Sequence, residues 1–262
     1  MPGGRSANTM PTMIEKNIII LVGDLGSGVN HLKNTMLLSQ QIHWPTMPVD
    51  SRLEYLMQNI YSDEKIKNWM KLESRLRTWK KHYGVDIADN YADINTPQVR
   101  EISQTQSIVF ISHWPEIAKQ LKIKYPGIRC IGLYPANRVD FSWQVKAYIS
   151  KIGIENLQNF SFLDDIELNK QKHIDQHGIE DYYKTNVLNM FEIMQERAIE
   201  YRNIGDCSVS IEELISKNID NVVSSISAFT GYAIDPASAQ ILHNRWLDIQ
   251  PAQNCPWLEE AC

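Results

Sequence analysis

The chain commits early to one local geometry. Ile18-Ile-Ile-Leu-Val22 is a continuous β-branched and leucine run, as a central strand buried on both faces requires. Gly23-Asp24-Leu25-Gly26-Ser27-Gly28 follows at once, and Val29 to Gln41 then has helical character. Glycine tolerates positive φ and lets other groups come close to the backbone, so such a loop can turn its amides inward around an anion. The helix behind it adds N-terminal N–H groups and partial positive charge. The residues from Gly23 to Asn30 are therefore a candidate anion cradle; the bland alternative is a tight strand-to-helix turn that binds nothing. An ATPase loop needs Gly-Lys-Ser/Thr, whereas Gly28 is followed by Val29 and Asn30. No ammonium stands there to meet a β- or γ-phosphate, no hydroxyl follows to hold magnesium, and Lys33 lies a turn further on.

Two more buried-strand candidates occupy the middle of the chain. Ser107 to Ser112 is followed by His113-Trp-Pro and a short helix; Ile128 to Leu133 is followed by Tyr134-Pro-Ala and a helix over about 138–151. Asn186 to Tyr201 is amphipathic, and Cys207 to Val209 has the character of a short strand. Ser210-Ile-Glu-Glu213 has the spacing of a capping box, and Asp235-Pro236 that of a helix start with proline in the first turn. Strands alternating with helices imply parallel strands joined by right-handed crossovers. The expected fold is therefore α/β: a three-layer, doubly wound, mostly parallel sheet with a P-loop-type strand–loop–helix start and extra helices. Ligands in such sheets sit beyond the carboxyl ends of the strands, which selects residues 23–30, 112–115 and 134–142. His113 in the second loop can serve as a proton acceptor near neutral pH, or can merely pack beside Trp114 and cap the next helix. Arg138 and Ser142 in the third can each bond a phosphate, though each is also ordinary on a solvated helix.

Length and composition narrow the class. With 262 residues the chain suffices for one large domain, expected over about 14–250 with a helical insert near 50–105 and tails at 1–13 and 251–262. A net charge of −5 argues against nucleic acid as a partner. Trp79-Lys-Lys-His82 is a solvated basic face on a polar helix over 62–82. Four cysteines without a CxxC pair point to a reducing compartment, with neither zinc nor disulfides. The apolar run at 17–23 is too short to span a bilayer and is not followed as a signal peptide would be, so a cytoplasmic location without membrane attachment is expected. His173 and His177 stand at i, i+4 but lack the companions of a zinc site, and no metal is expected.

Taken in order, these loops resemble the sulfotransferase family. Its phosphosulfate loop, Pro-Lys/Arg-Ser-Gly-Thr, is matched at Ser27 and Gly28 by Leu25-Gly26-Ser27-Gly28-Val29. Its catalytic histidine lies in a Lys-Thr-His-Leu-Pro-like segment, similar to Ile111-Ser112-His113-Trp114-Pro115. Its 3′-phosphate turn, Arg-Asn/Asp-Pro with a serine at fixed distance, is kept in register by Tyr134-Pro135-Ala136 and Ser142. Val209-Ser-Ile-Glu-Glu-Leu214 and Phe229-Thr-Gly231 resemble its late Tyr-Glu-Asp-Leu and Phe-Leu-Gly segments.

The resemblance spans about residues 16 to 247 with a divergent middle. It implies transfer of a sulfuryl group from 3′-phosphoadenosine 5′-phosphosulfate (PAPS) to a small-molecule or glycan acceptor. His113 would be the base, residues 23–30 would hold the phosphosulfate, and Ser142 with Arg138 the 3′-phosphate. The departures are pointed: Gly26 stands where the family has Lys or Arg, Val29 where it has Thr, and Tyr134 where it has Arg. Two other functions stay open: a P-loop kinase for a nucleotide or small molecule, and a catalytically degenerate binding or assembly protein. The acceptor pocket would fall to residues 44–105 and 153–185, which carry no motif.

Overall fold

In the computed structural model of the chain, residues 15–24, 26–43, 106–113, 115–152 and 170–249 are described. The expected tails, the insert near 50–105, the helix over 62–82, Leu25 and Trp114 lie outside them. Among the described residues five strands form one all-parallel sheet: β1 (Ile18–Val22), β2 (Ile42–His43), β3 (Ser107–Ser112), β4 (Arg129–Tyr134) and β5 (Cys207–Ser210), in the spatial order β2-β3-β1-β4-β5. Helices α1 (Val29–Met36), α2 (Pro115–Lys124), α3 (Arg138–Ile152), α4 (Lys170–His177), α5 (Ile179–Ile204), α6 (Ile211–Ile215), α7 (Asp220–Thr230) and α8 (Pro236–Asp248) surround it. The doubly wound α/β architecture expected from the sequence is thus the one observed.

β1 is central because every one of its residues is apolar and can be buried on either face. Side chains alternate across a strand. Ile19 and Leu21 accordingly join a core with α1, α7 and α8, and Ile18, Ile20 and Val22 a second core with Ala118 of α2 and Tyr201 and Ile204 of α5. Burying each such side chain contributes about 1.5–3 kcal/mol before entropy is counted. The register pairs Val22 with Ser112 on one side and with Gly132 on the other. The loops after β1, β3 and β4 therefore emerge along one edge of the sheet.

Helix α1 is shorter than the sequence predicts. Its last turn tightens at Leu37 to Ser39, and Ile42 and His43 then pair in parallel with Ser107 and Ile108. A two-residue strand has no periodicity to betray it. The two helix starts read from sequence are both present. Ser210 Oγ accepts from the Glu213 amide at 3.2 Å while Glu213 accepts from the Ser210 amide at 2.8 Å, and Asp235 accepts from the Ser238 amide at 2.9 Å ahead of Pro236. Cys130, wholly buried in β4, has its thiol pushed up to about 12 by burial, so it is an inert core group.

One contact fixes α5 against the sheet. A Cβ added at Gly132 would lie 2.0 Å from the Tyr201 carbonyl oxygen. β4 and the last turn of α5 therefore meet backbone to backbone, which only glycine permits at this position. That approach sets where the side chains of α5 reach the loop edge.

Candidate functional site

The loop after β1 begins with the Gly23 amide bonded to the Ser112 carbonyl at 3.2 Å, and it closes with the Ser27 amide on the Asp24 carbonyl at 3.1 Å. Gly26 and Gly28 take φ of +81° and +84°, the left-handed region that disfavours a side chain. Gly28 is the N-cap of α1 and supplies no capping side chain. Ser27 is fully buried, and its Oγ has no hydrogen-bond partner among the described residues. A Cβ at Gly28 would also sit 2.6 Å from Leu214 Cδ2 and 3.3 Å from Trp246. Gly28→Ala is expected to lose about 1–2 kcal/mol from the left-handed backbone alone. Urea unfolding checks this; an unchanged midpoint would show that the loop relaxes freely.

His113 lies beside this loop. Its Nδ1 is 2.8 Å from the Gly23 carbonyl oxygen, and since a carbonyl only accepts, Nδ1 carries the proton. In the neutral ring Nε2 is then the basic nitrogen. The backbone of His113 is held from α5, where Tyr201 Oη donates to its carbonyl at 2.8 Å and Arg197 Nη2 at 3.1 Å. The same guanidinium places Nη1 3.5 Å from Asp24 Oδ2 and lies over the Tyr201 ring. One arginine thus touches the loop acid and the histidine's main chain together.

Beneath the loop, α1 and α8 share a buried aromatic cluster. His31 stacks on Trp246 with ring centres 4.2 Å apart and planes 2° from parallel, and Trp246 in turn meets Trp143 of α3. His243 Nε2 lies 2.6 Å from the Ser216 carbonyl and so donates to it. In its neutral form His243 Nδ1 must then accept from His31 Nε2 at 3.1 Å. Burial, reinforced by the proximity of His243, holds the His31 pKa well below the ordinary 6.5. Burial likewise lowers that of His243, against a smaller opposing effect of its bond to Ser216.

Below about 6.5 the unfolded chain takes up protons that the folded chain refuses, so stability present above that pH is lost as it falls. The slope should approach about 1.4 kcal/mol per pH unit for His31, with His243 adding in the same direction. Urea midpoints measured from about pH 7.5 down to 5.5 test this, with a His31→Gln/His243→Gln variant as the flat control. A wild-type profile as flat as the control's would refute it.

The remaining candidates fall at varied distances from this centre. Asn30 and Val29 open α1, while Leu25 lies outside the described residues. Arg138 is exposed at the start of α3, and Ser142, half-buried, follows one turn on. The turn before them is shaped by Asp140, which accepts from the Ala136 amide at 2.8 Å and whose pKa burial raises. Lys33, buried on α1, is brought down to about 8 by loss of solvent, and its Cα–Cβ bond tilts toward the loop as all do in a helix. His173 pairs with Asp181 at 2.9 Å on the surface. Among the described residues no cluster of three or more His, Cys, Asp or Glu could hold a metal, and no helix is long and apolar enough to cross a membrane. A cavity of 530 Å³ lined by Lys16, Arg129, Asp206 and Tyr232 lies at the opposite edge of the sheet, away from these loops.

The loop, His113 and α5 together invite comparison with known proteins. No family model matches the chain, and no curated protein matches it significantly. A solved structure does. It is the sulfotransferase domain from the Synechococcus PCC 7002 olefin synthase, at 15% identity and a TM-score of 0.43, the match covering 90% of this chain and 80% of that one. The sequence singles out neither Arg197 nor Tyr201 as a site residue. Both sit on an ordinary amphipathic helix, and no short motif ties them to a histidine 84 and 88 residues earlier.

Proposed function

We propose that the chain is a sulfotransferase-like enzyme that moves a sulfuryl group from PAPS to an acceptor hydroxyl or amine. The observation that carries this is the 2.8 Å bond from His113 Nδ1 to the Gly23 carbonyl, which sets the basic Nε2 tautomer beside a glycine loop. The residues present suit an anionic group at that loop. Ser27 offers a buried hydroxyl without a partner among the described residues, and Gly28 leaves the start of α1 without a side-chain cap. Residues 23–30 would hold the phosphosulfate, and Ser142 with Arg138 the 3′-phosphate. When bound, PAPS supplies an activated sulfuryl group. His113 would take the proton from the acceptor as adenosine 3′,5′-bisphosphate leaves with the electrons of the broken S–O bond, and the loop amides not already bonded within the protein would orient the donor.

The direct test is incubation with sulfur-labelled PAPS and a panel of hydroxyl and amine acceptors, beside calorimetric titration with adenosine 3′,5′-bisphosphate. Transfer and bisphosphate binding are both expected. Failure to bind the bisphosphate would end this proposal.

A second function draws on one observation. Asp24 is 2% exposed within the loop, and a carboxylate there opposes an anionic ligand. That favours a degenerate binding or assembly protein, which would bind no bisphosphate at all.

A further inference from the structure

We infer that Arg197 is the cation of this loop, and that Asp24 occupies it until an anionic phosphoryl or sulfuryl group takes its place. This rests on the proposal above and names how the site supplies the positive charge that Gly26 does not. Arg197 comes from α5, more than 160 residues after the loop in the chain. Its Nη2 bond to the His113 carbonyl, 3.1 Å, fixes the guanidinium at the carboxyl edge of β3. Nη1 is then held 3.5 Å from Asp24 Oδ2, with side-chain exposures of only 12% and 3% for the pair.

A charge-assisted N–H···O bond closes to about 2.7–2.9 Å, so this pair is loose for its burial. The neighbouring groups ask for an anion. Ser27 Oγ, fully buried, has no partner among the described residues, and α1 starts at Gly28 with no side-chain cap. Asp24 alone has the wrong sign for such a ligand. The planar fork of arginine matches the paired oxygens of a phosphate or sulfate, and like charges at this range repel. The ligand and Asp24 therefore compete for one guanidinium. Because the same guanidinium holds the His113 carbonyl, the exchange takes place beside the proposed base.

The test is calorimetric titration of the full chain, separately with adenosine 3′,5′-bisphosphate and with pyrophosphate. Asp24→Asn is expected to bind about tenfold more tightly than wild type, and Arg197→Gln about tenfold more weakly. Arg197→Lys, which keeps the charge without the fork, should fall between wild type and Arg197→Gln. It carries the test if Arg197→Gln does not fold. Opposite shifts are the signature, since a merely structural ion pair would weaken binding from either end. Shifts in the same direction, or no shifts, overturn the inference. If pyrophosphate shows the opposite shifts but the bisphosphate does not bind, the cation assignment stands and the sulfotransferase proposal falls. If the bisphosphate binds all variants alike, the reverse holds. Failure of wild type and Asp24→Asn to bind either anion also overturns the inference.

Discussion

His113→Ala is expected to slow sulfuryl transfer about 10²- to 10⁴-fold while leaving adenosine 3′,5′-bisphosphate binding close to wild type. The separation follows from how the residue is held. Its carbonyl, not its ring, receives Tyr201 Oη and Arg197 Nη2, and alanine keeps that carbonyl. What disappears is the ring and its 2.8 Å bond to the Gly23 oxygen. The loop retains its own closure from the Ser27 amide to the Asp24 carbonyl and its link from the Gly23 amide to Ser112. Single-turnover rates with labelled PAPS, beside calorimetry of the product nucleotide, read the two effects apart. Equal transfer by variant and wild type would remove His113 as the base. Parallel loss of transfer and binding would make it a support for the loop instead.

Gly132→Ala is expected to be the most damaging single-methyl change in the sheet. The new Cβ would sit 2.0 Å from the Tyr201 carbonyl oxygen and 3.1 Å from its carbon, and both are backbone atoms that cannot swing aside. Overpacking a core ordinarily costs about 1–3 kcal/mol, and a backbone-to-backbone clash belongs at or above the top of that range. The consequence also reaches the site. Tyr201 and Arg197 share one turn of α5, so pushing that turn off β4 withdraws both donors from His113. Urea unfolding should show a lower midpoint, and transfer should fall even under conditions where the variant remains folded. Near-native stability with native turnover would mean that α5 does not set the position of His113.

What was legible in the sequence was what local chemistry determines. The strand at Ile18–Val22, the glycine loop, the capping box at Ser210 and the Asp235-Pro236 start each need only a few consecutive residues, and each is present. The placement of three loops on one edge was legible too, because parallel strands with crossover helices leave no other choice. Arg197 was not legible, since its relation to Asp24 and His113 exists only after α5 has docked on β4. The His31–His243 pair hides for the same reason: each histidine alone resembles a surface residue, and only the stacking of Trp246 between α1 and α8 buries them together. β2 escaped because two residues carry no periodic signal.

The floor of the loop has a consequence for how the chain is made. Gly28 and His31 are made before Trp246 and His243, which pack against them, and His243 follows His31 by 212 residues. At about 5–20 residues per second that interval is roughly 10–40 s. Throughout it the nascent loop has its glycines but no underside, so it takes its final form only after α8 has been made.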